Sequence, residues 1–339
     1  MSFRDRIPAV AHSVFHADSL AAEIATRYEI GTPTKSIFLQ QGQNDTYLVH
    51  TDTGQFIIRV YRAGLRSLTD ITYELALIGH LADSGVRVSV PLTRRSGGVV
   101  DSVAAHEGPR HVVVFTYAPG RLPGVYAPGF ESVRAEEQVR LYGQAVASLH
   151  TAADSFASEF ARPAVDLGYL TDRPVRLLRP LFARPTDDWD WIELLVQRLV
   201  VRLSHFAAAG LNWGACHGDL NGLNAHITED GAITFYDFDE CGPGWRAYDL
   251  AVFQWVLKRQ SPPNAERLWS SYLSGYQSNR QLAATDLAAI PLFVMLRQLW
   301  WMAVQTEQGT SRGFGVLNER YIAWGRTMLQ EWEQEDLST

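Results

Sequence analysis

Residues 216–249, CHGDLNGLNAHITEDGAITFYDFDECGPGWRAYD, concentrate more reactive side chains than any other stretch of this 339-residue chain. His217, Asp219, Asn224, Asp237 and Asp239 fall within about one supersecondary unit. Six glycines between Gly214 and Gly244 break the backbone into turns. Frequent turning suits loops that carry functional groups on a rigid scaffold.

The residue types point to phosphoryl transfer. That reaction needs a carboxylate to take the acceptor's proton, oxygen ligands for Mg²⁺, and cations on the phosphates. Asp219 follows His217-Gly218 and projects from a loop, Asn224 lies five positions on, and Asp237 ends a strand predicted over Ala232–Tyr236. Ile227–Glu229 and Gly231–Tyr236 read as a short hairpin that folds Asn224 and Asp237 towards one place. His217 and His226 also flank Asp219, which opens a transition-metal reading and with it a metallohydrolase. No Cys or His pair has zinc-finger spacing, and carboxylates with an amide are hard-ligand chemistry suited to Mg²⁺.

Composition sets the outer limits. The length allows roughly two domains of about 150 residues. The apolar share of 46% and charged share of 20% describe an ordinary globular chain. A formal charge of −7 disfavours nucleic acid as the main partner, because phosphate backbones require a basic face. Cys216 and Cys241 are too few for a disulfide framework and favour a reducing compartment. The start, MSFRDRIPAV, lacks a signal-peptide pattern. The apolar run Ala289–Val304 is interrupted by Pro291, Arg297 and Gln298, so no membrane span is expected. A cytoplasmic monomer or homodimer is the expectation. Lys35 and Lys258 are the only lysines, which leaves few places for a phosphate-binding lysine.

Upstream, a helix is predicted over Asp18–Tyr28, with strands over Ser36–Leu39, Thr46–His50 and Gln55–Tyr61. Ser67-Leu68-Thr69-Asp70 opens a capped helix with Ile71, Leu75, Ile78 and Leu81 on its apolar stripe. Glu74 lies on that same stripe, where a carboxylate is costly unless paired, and Arg59 on the third strand is its expected partner. Further strands are predicted over Val88–Leu92, Gly98–Ala104 and His111–Tyr117. Tyr117-Ala118-Pro119-Gly120 marks the boundary between residues 1–117 and a helical part, 118–339. Helices are expected over Glu136–Thr151, Trp189–Ala208, Trp245–Gln260, Ala265–Tyr276, Asp286–Thr306 and Leu317–Trp332, with Arg162–Asp188 irregular. The fold class is α+β: a five-stranded antiparallel sheet with one helix, then a mostly helical part.

The pattern HGDLNGLN, then YDFDE and GWRAYDLA, resembles the aminoglycoside phosphotransferase and choline kinase-like superfamily, which has the two-lobed protein-kinase-like fold. The resemblance extends from about Ser36 to Trp332. It implies ATP and Mg²⁺ as cofactors, Asp219 as catalytic base, and Asn224 and Asp237 as metal ligands, with Asp239 supporting the metal site or a second ion. His217 would orient the loop, and Asp249 would anchor loop amides. In the N-terminal lobe it implies nucleotide contacts from Gly42 and Asn44 in the covering loop. Arg59 would stand in the usual lysine position with Glu74 as its partner, and Phe115 and Tyr117 would lie beside the adenine. The covering loop lacks G-x-G-x-x-G, and arginine replaces lysine, which offers a fork in place of a point charge.

The implied acceptor is a hydroxyl of a small molecule, either an antibiotic or an amine-bearing metabolite. Homoserine kinase type II and the bacterial stress-response Ser/Thr kinase are similar too, and a silent pseudokinase is the remaining alternative. Arg297, Trp300 and Trp301 share a helix that could face the acceptor, with Trp245 and Trp255 near in sequence. Their bland alternative is core packing.

Overall fold

The computed structural model describes residues 10–123, 133–182, 189–313 and 319–337. Its N-terminal part is built on a five-stranded antiparallel sheet, with helical structure following. A first helix, α1 (Ala17–Ala25), packs on the outer strand β1 (Pro33–Gln41). Strands β2 (Asp45–Thr51) and β3 (Gln55–Val60) continue the meander, and β5 (Arg110–Thr116) then separates β3 from the short edge strand β4 (Asp101–Val103). Helix α2 (Leu68–Asp83) begins with a complete capping box, Ser67 accepting from the Asp70 N–H while Asp70 accepts from the Ser67 N–H. Ile71, Leu75, Ile78 and Leu81 are buried, as their spacing requires.

Two expected strands come out differently. Val88–Leu92 forms isolated bridges, with Val88 beside Phe235 and Pro91 beside Phe115. Pro91 has no N–H to continue a ladder, so the segment stitches β5 to the strand containing Phe235. Gly98–Ala104 shrinks to Asp101–Val103, because Gly97 and Gly98 turn the chain at φ 86° and 73°.

The helical part contains α3 (Val133–Ala152), α4 (Leu167–Leu178), α5 (Trp189–Ala208), α6 (Arg246–Gln260), α7 (Ala265–Asn279), α8 (Ala284–Arg312) and α9 (Glu319–Leu337). Helix α4 lies inside the stretch expected to be irregular. Asp166 caps it by accepting from the Tyr169 N–H, and Leu170, Pro174 and Leu178 form one buried face. Of the residues in that stretch, 183–188 lie outside the described ones, as do 317–318 of the last predicted helix.

Helices α3 and α7 cross so closely that a Cβ on Gly143 would sit 2.1 Å from the Tyr272 carbonyl oxygen, and one on Gly275 2.0 Å from that of Arg140. Ala284–Gly309 is long and apolar enough to cross a membrane, yet 78% of its most apolar window is buried inside the fold. The sequence interruptions at Pro291, Arg297 and Gln298 do not remove it from that class. Its apolarity is used here to fill the core, with Leu296, Leu299 and Met302 buried.

Two small ribbons lie within the helical part. β6 (Trp213–Cys216) pairs with β9 (Gly242–Trp245), and β7 (Ala225–Ile227) pairs with β8 (Ile233–Phe235). The second is the expected hairpin, with Ala225 opposite Phe235 and Ile227 opposite Ile233. Its turn is closed by the Gly231 N–H to the Thr228 carbonyl, 3.1 Å. Trp245, expected to start a helix, belongs to β9 and immediately precedes α6.

Candidate active site

A cleft of about 530 Å³ is lined by β1–β3 and β5 of the sheet, the β6–β7 loop, the residues after β8, and α8. Gly42, Asn44, Arg59, Phe115, Tyr117, Asp219, Asn224, Asp237 and Asp239 all line it. His217 and Glu74 stand behind it, each fully buried.

The loop carrying Asp219 is held from beneath. Asp249, in the first turn of α6, accepts the His217 N–H on Oδ2 at 2.8 Å and the Gly218 N–H on Oδ1 at 2.7 Å. His150 of α3 meets the same Oδ2 through Nε2 at 3.1 Å and Tyr276 through Nδ1 at 2.9 Å. These partners assign a neutral imidazole, with Nε2–H donating to Asp249 and the Tyr276 hydroxyl donating to Nδ1. Burial, helped by the nearby Arg246 charge, lowers the His150 pKa to about 4 against the pull of Asp249. Burial pushes the Asp249 carboxyl up, but the donors from His150 and the loop outweigh it and hold the group below its usual range. Gly218 is required here: its φ is +81°, and a Cβ would lie 2.1 Å from the Glu240 carbonyl oxygen.

His217 joins this loop to the next. Its Nδ1 accepts the Asp219 N–H at 3.3 Å, and its Nε2 reaches the Tyr236 carbonyl at 3.1 Å. With both ring nitrogens engaged and the ring against Phe238 at 4.3 Å, it acts as a strut between Asp219 and Asp237.

Asn224 donates through Nδ2 to the Asp219 carbonyl at 3.0 Å and to Asp219 Oδ2 at 2.8 Å. Using the nitrogen inward leaves the amide oxygen as the atom able to ligate a cation. Asp237 adopts a left-handed backbone, φ 64° and ψ 59°, a conformation rare for a residue with a side chain and one that concentrates at functional positions. Burial pushes its carboxyl up, Asp239 and Asp219 push the same way, and Arg59 opposes them. Its Oδ1 meets Arg59 Nη2 at 3.1 Å. Among the described residues no group of three or more His, Cys, Asp or Glu is arranged to hold a metal. Two protein oxygen donors suit Mg²⁺, which is commonly bound by one or two carboxylates together with substrate phosphates and water.

Arg59 Nη1 donates to Glu74 Oε1 at 2.6 Å, and the Tyr61 hydroxyl donates to the other Glu74 oxygen at 3.1 Å. Burial would lower the Arg59 pKa, but Asp237 and Glu74 outweigh it and raise the group well above its ordinary value. The guanidinium also stands 4.9 Å from the Phe115 ring centroid. In the covering loop the Gly42 N–H donates to the Asn44 carbonyl at 2.8 Å, and Asn44 Oδ1 accepts the Arg62 N–H at 3.2 Å. The Tyr117 ring packs edge-on to His226, 5.9 Å between centroids.

Arg66 and Glu240 carried no sequence signal, and the pairing of Arg297 with Asp219 was not foreseen. Arg66, just before the α2 cap, donates to both Asp239 oxygens at 3.2 and 3.4 Å and to Glu240 at 2.8 Å. Arg66 outweighs the burial of Asp239 and, with Arg162 and Arg59, holds its carboxyl below the usual range. Glu240 also receives the Tyr169 hydroxyl at 2.5 Å and the side-chain amide of Gln43, which reaches across from the covering loop. Arg297 of α8 is fully buried and pairs with Asp219 Oδ1. Trp300 and Trp301 line the cleft beside Glu240, Gln305 and Gln308, whereas Trp245 packs on Trp213 and Phe293.

Known proteins share the fold. The phosphotransferase enzyme family (APH) matches residues 37–283. An uncharacterised protein of Deinococcus radiodurans is 39% identical over 98% of this chain and 95% of its own. A homoserine kinase of Sinorhizobium fredii is 28% identical, covering 81% of this chain and 79% of its own. The solved structure of a microcompartment-associated aminopropanol kinase superposes with a TM-score of 0.74 at 27% identity, covering 94% of this chain and 98% of the other.

Proposed function

Because the chain belongs to the phosphotransferase enzyme family, we propose that it transfers the γ-phosphoryl group of ATP to the hydroxyl of a small amine-bearing alcohol. The observation that carries this reading is the convergence of Asp219, Asn224, Asp237 and Arg59 on one cleft between the sheet and α8. Asp219 is the general base that takes the hydroxyl proton as the new O–P bond forms and ADP leaves. Asn224 and Asp237 hold the divalent ion, with Asp239 as an outer acid of that site. The ion, when bound, neutralises charge on the phosphates. Arg59, set by Glu74, faces the phosphates, and Gly42 and Asn44 cover them. Leu48, Ile57, Phe115 and Tyr117 supply an apolar slot for the base.

The charge of the cleft supports an amine without a carboxylate. Asp219, Asp237, Asp239 and Glu240 line it, and among the described residues Arg59 is the one lining arginine or lysine, already engaged by two acids. Trp300 and Trp301 add ring faces of the kind that hold ammonium groups. Homoserine, by contrast, brings a carboxylate that would need a cation of its own.

The test is an ATP-consumption screen with 1-amino-2-propanol, ethanolamine, choline, homoserine and an aminoglycoside, using Asp219→Asn as the blank. Turnover should be highest with a carboxylate-free amine alcohol and should fall at least about 10²-fold in the variant. A preference for homoserine would overturn the acceptor class, and full turnover by Asp219→Asn would overturn the base.

A further inference from the structure

Arg297 lies 78 residues from Asp219 in sequence, yet its guanidinium is buried against that carboxylate. A buried guanidinium is retained only when an acid compensates it, and Asp219 is the carboxylate it pairs with. The rest of its surroundings hold it in place and offer little further charge. The Trp300 ring centroid is 4.4 Å from its Cζ and that of Trp255 is 5.2 Å away. Nη1 reaches the Tyr248 hydroxyl at 3.4 Å, and Nε has no hydrogen-bond partner among the described residues. An arginine stacked in this way has its planar fork preset.

The donors on Asp219 are divided unevenly. Oδ1 receives Arg297 and the Asn221 amide at 3.2 Å, which fills both of its acceptor sites. Among the described residues Oδ2 receives one bond, from Asn224 at 2.8 Å, which leaves it a lone pair. We infer that Arg297 is a positioning residue that fixes the Asp219 carboxylate from α8, so that Oδ2 is the oxygen presented to the acceptor hydroxyl. The inference rests on Asp219 being the base. Trp300 both clamps Arg297 and lines the cleft, so the wall of the acceptor end also holds the base in register.

Single-turnover hydrolysis of Mg·ATP, with enzyme in excess and water as acceptor, tests this without a known alcohol. Arg297→Gln should slow the chemical step by about 10²-fold, the loss expected from a misplaced reacting group. Calorimetric affinity for Mg·ATP should stay within about twofold, since the residue acts on the carboxylate and not on the nucleotide. Arg297→Lys, which keeps the charge without the fork, should fall between wild type and Arg297→Gln. It carries the test if Arg297→Gln fails to fold in thermal melts.

Because Arg297 acts through Asp219, Arg297→Gln should cost less than about twofold when added to Asp219→Asn. Wild-type rates in both Arg297 variants, or full multiplicative loss in the double variant, would overturn the inference. Wild-type hydrolysis by Asp219→Asn would instead remove the base assignment itself, a separate result.

Discussion

Replacing Asp249 with asparagine changes one atom type in a buried cage, and the donor geometry determines the consequence. The carboxylate receives three N–H groups: His217 and His150 on Oδ2, at 2.8 and 3.1 Å, and Gly218 on Oδ1 at 2.7 Å. Asparagine offers one accepting oxygen and one donating nitrogen. With its nitrogen in the Oδ1 position, the Gly218 N–H faces another donor. With its nitrogen in the Oδ2 position, His150 can change tautomer and accept, but the His217 N–H cannot. Either orientation therefore orphans one buried backbone donor, at about 1–3 kcal/mol, and the surviving bonds lose their charge assistance. Adding about 1 kcal/mol for that weakening gives an expected loss of about 2–4 kcal/mol. The assay is twofold: the urea midpoint at constant m, and hydrogen exchange of the peptide spanning residues 214–222. Asp249→Asn should lower the midpoint and speed exchange at His217 and Gly218, with phosphoryl transfer falling as the loop loosens. A midpoint within about 0.5 kcal/mol of wild type, together with unchanged exchange at those amides, would refute the cage argument.

Asp237→Ala should weaken Mg²⁺-dependent ATP binding while leaving metal-free nucleotide binding little changed; equal calorimetric affinities with and without Mg²⁺ in both proteins would count against the ligand role. His150 should make stability sensitive to acid, because its pKa is lowered to about 4 in the fold from 6.5. Between those values the unfolded chain binds the extra proton, so stability is complete above about pH 6.5 and declines towards pH 4, by on the order of 3 kcal/mol in total. His150→Gln should remove that share of the slope between pH 7 and 5, and an identical slope in both proteins would show that another group carries it.

What could be read beforehand follows from how far each interaction reaches along the chain. The hairpin and the loops around Asp219 and Asp237 were legible because their polar side chains lie close in sequence and their spacing is imposed by short turns. The sheet was legible from strand-like segments separated by turns and the helix beside it from the capping signal at Ser67, and Glu74 announced itself as a carboxylate on an apolar stripe. Helix α4 was hidden because four prolines between Pro163 and Pro185 dominate the local signal. Pro174 is tolerated inside the helix since its ring is buried on the same face as Leu170 and Leu178, so packing offsets the lost backbone bond. Val88–Leu92 misled in the opposite direction: its composition suits a strand, but Pro91 leaves only isolated bridges. Arg66 and Glu240 had no local signature, because their partners lie 71 or more residues away; Arg297 stood out as a charge on an apolar helix, but its pairing with Asp219, 78 residues off, did not.

Three arginines of this lysine-poor chain hold the acids in and around the cleft. Arg59 bridges Glu74 and Asp237, Arg66 bridges Asp239 and Glu240, and Arg297 joins Asp219 to two tryptophan faces. Every one of these jobs uses a planar cation with donors diverging from one centre, and a lysine ammonium on a flexible stem would serve only one partner well. The acids of the cleft are thus set from three directions: from the sheet through Arg59, from just before α2 through Arg66, and from α8 through Arg297. Such rigid placement from separate elements is what transition-state electrostatics require, since groups already oriented need not reorganise as charge moves. An Arg59→Lys change would accordingly keep the charge and lose the bridge between Glu74 and Asp237. That separates this cleft from one built around a single phosphate-binding lysine.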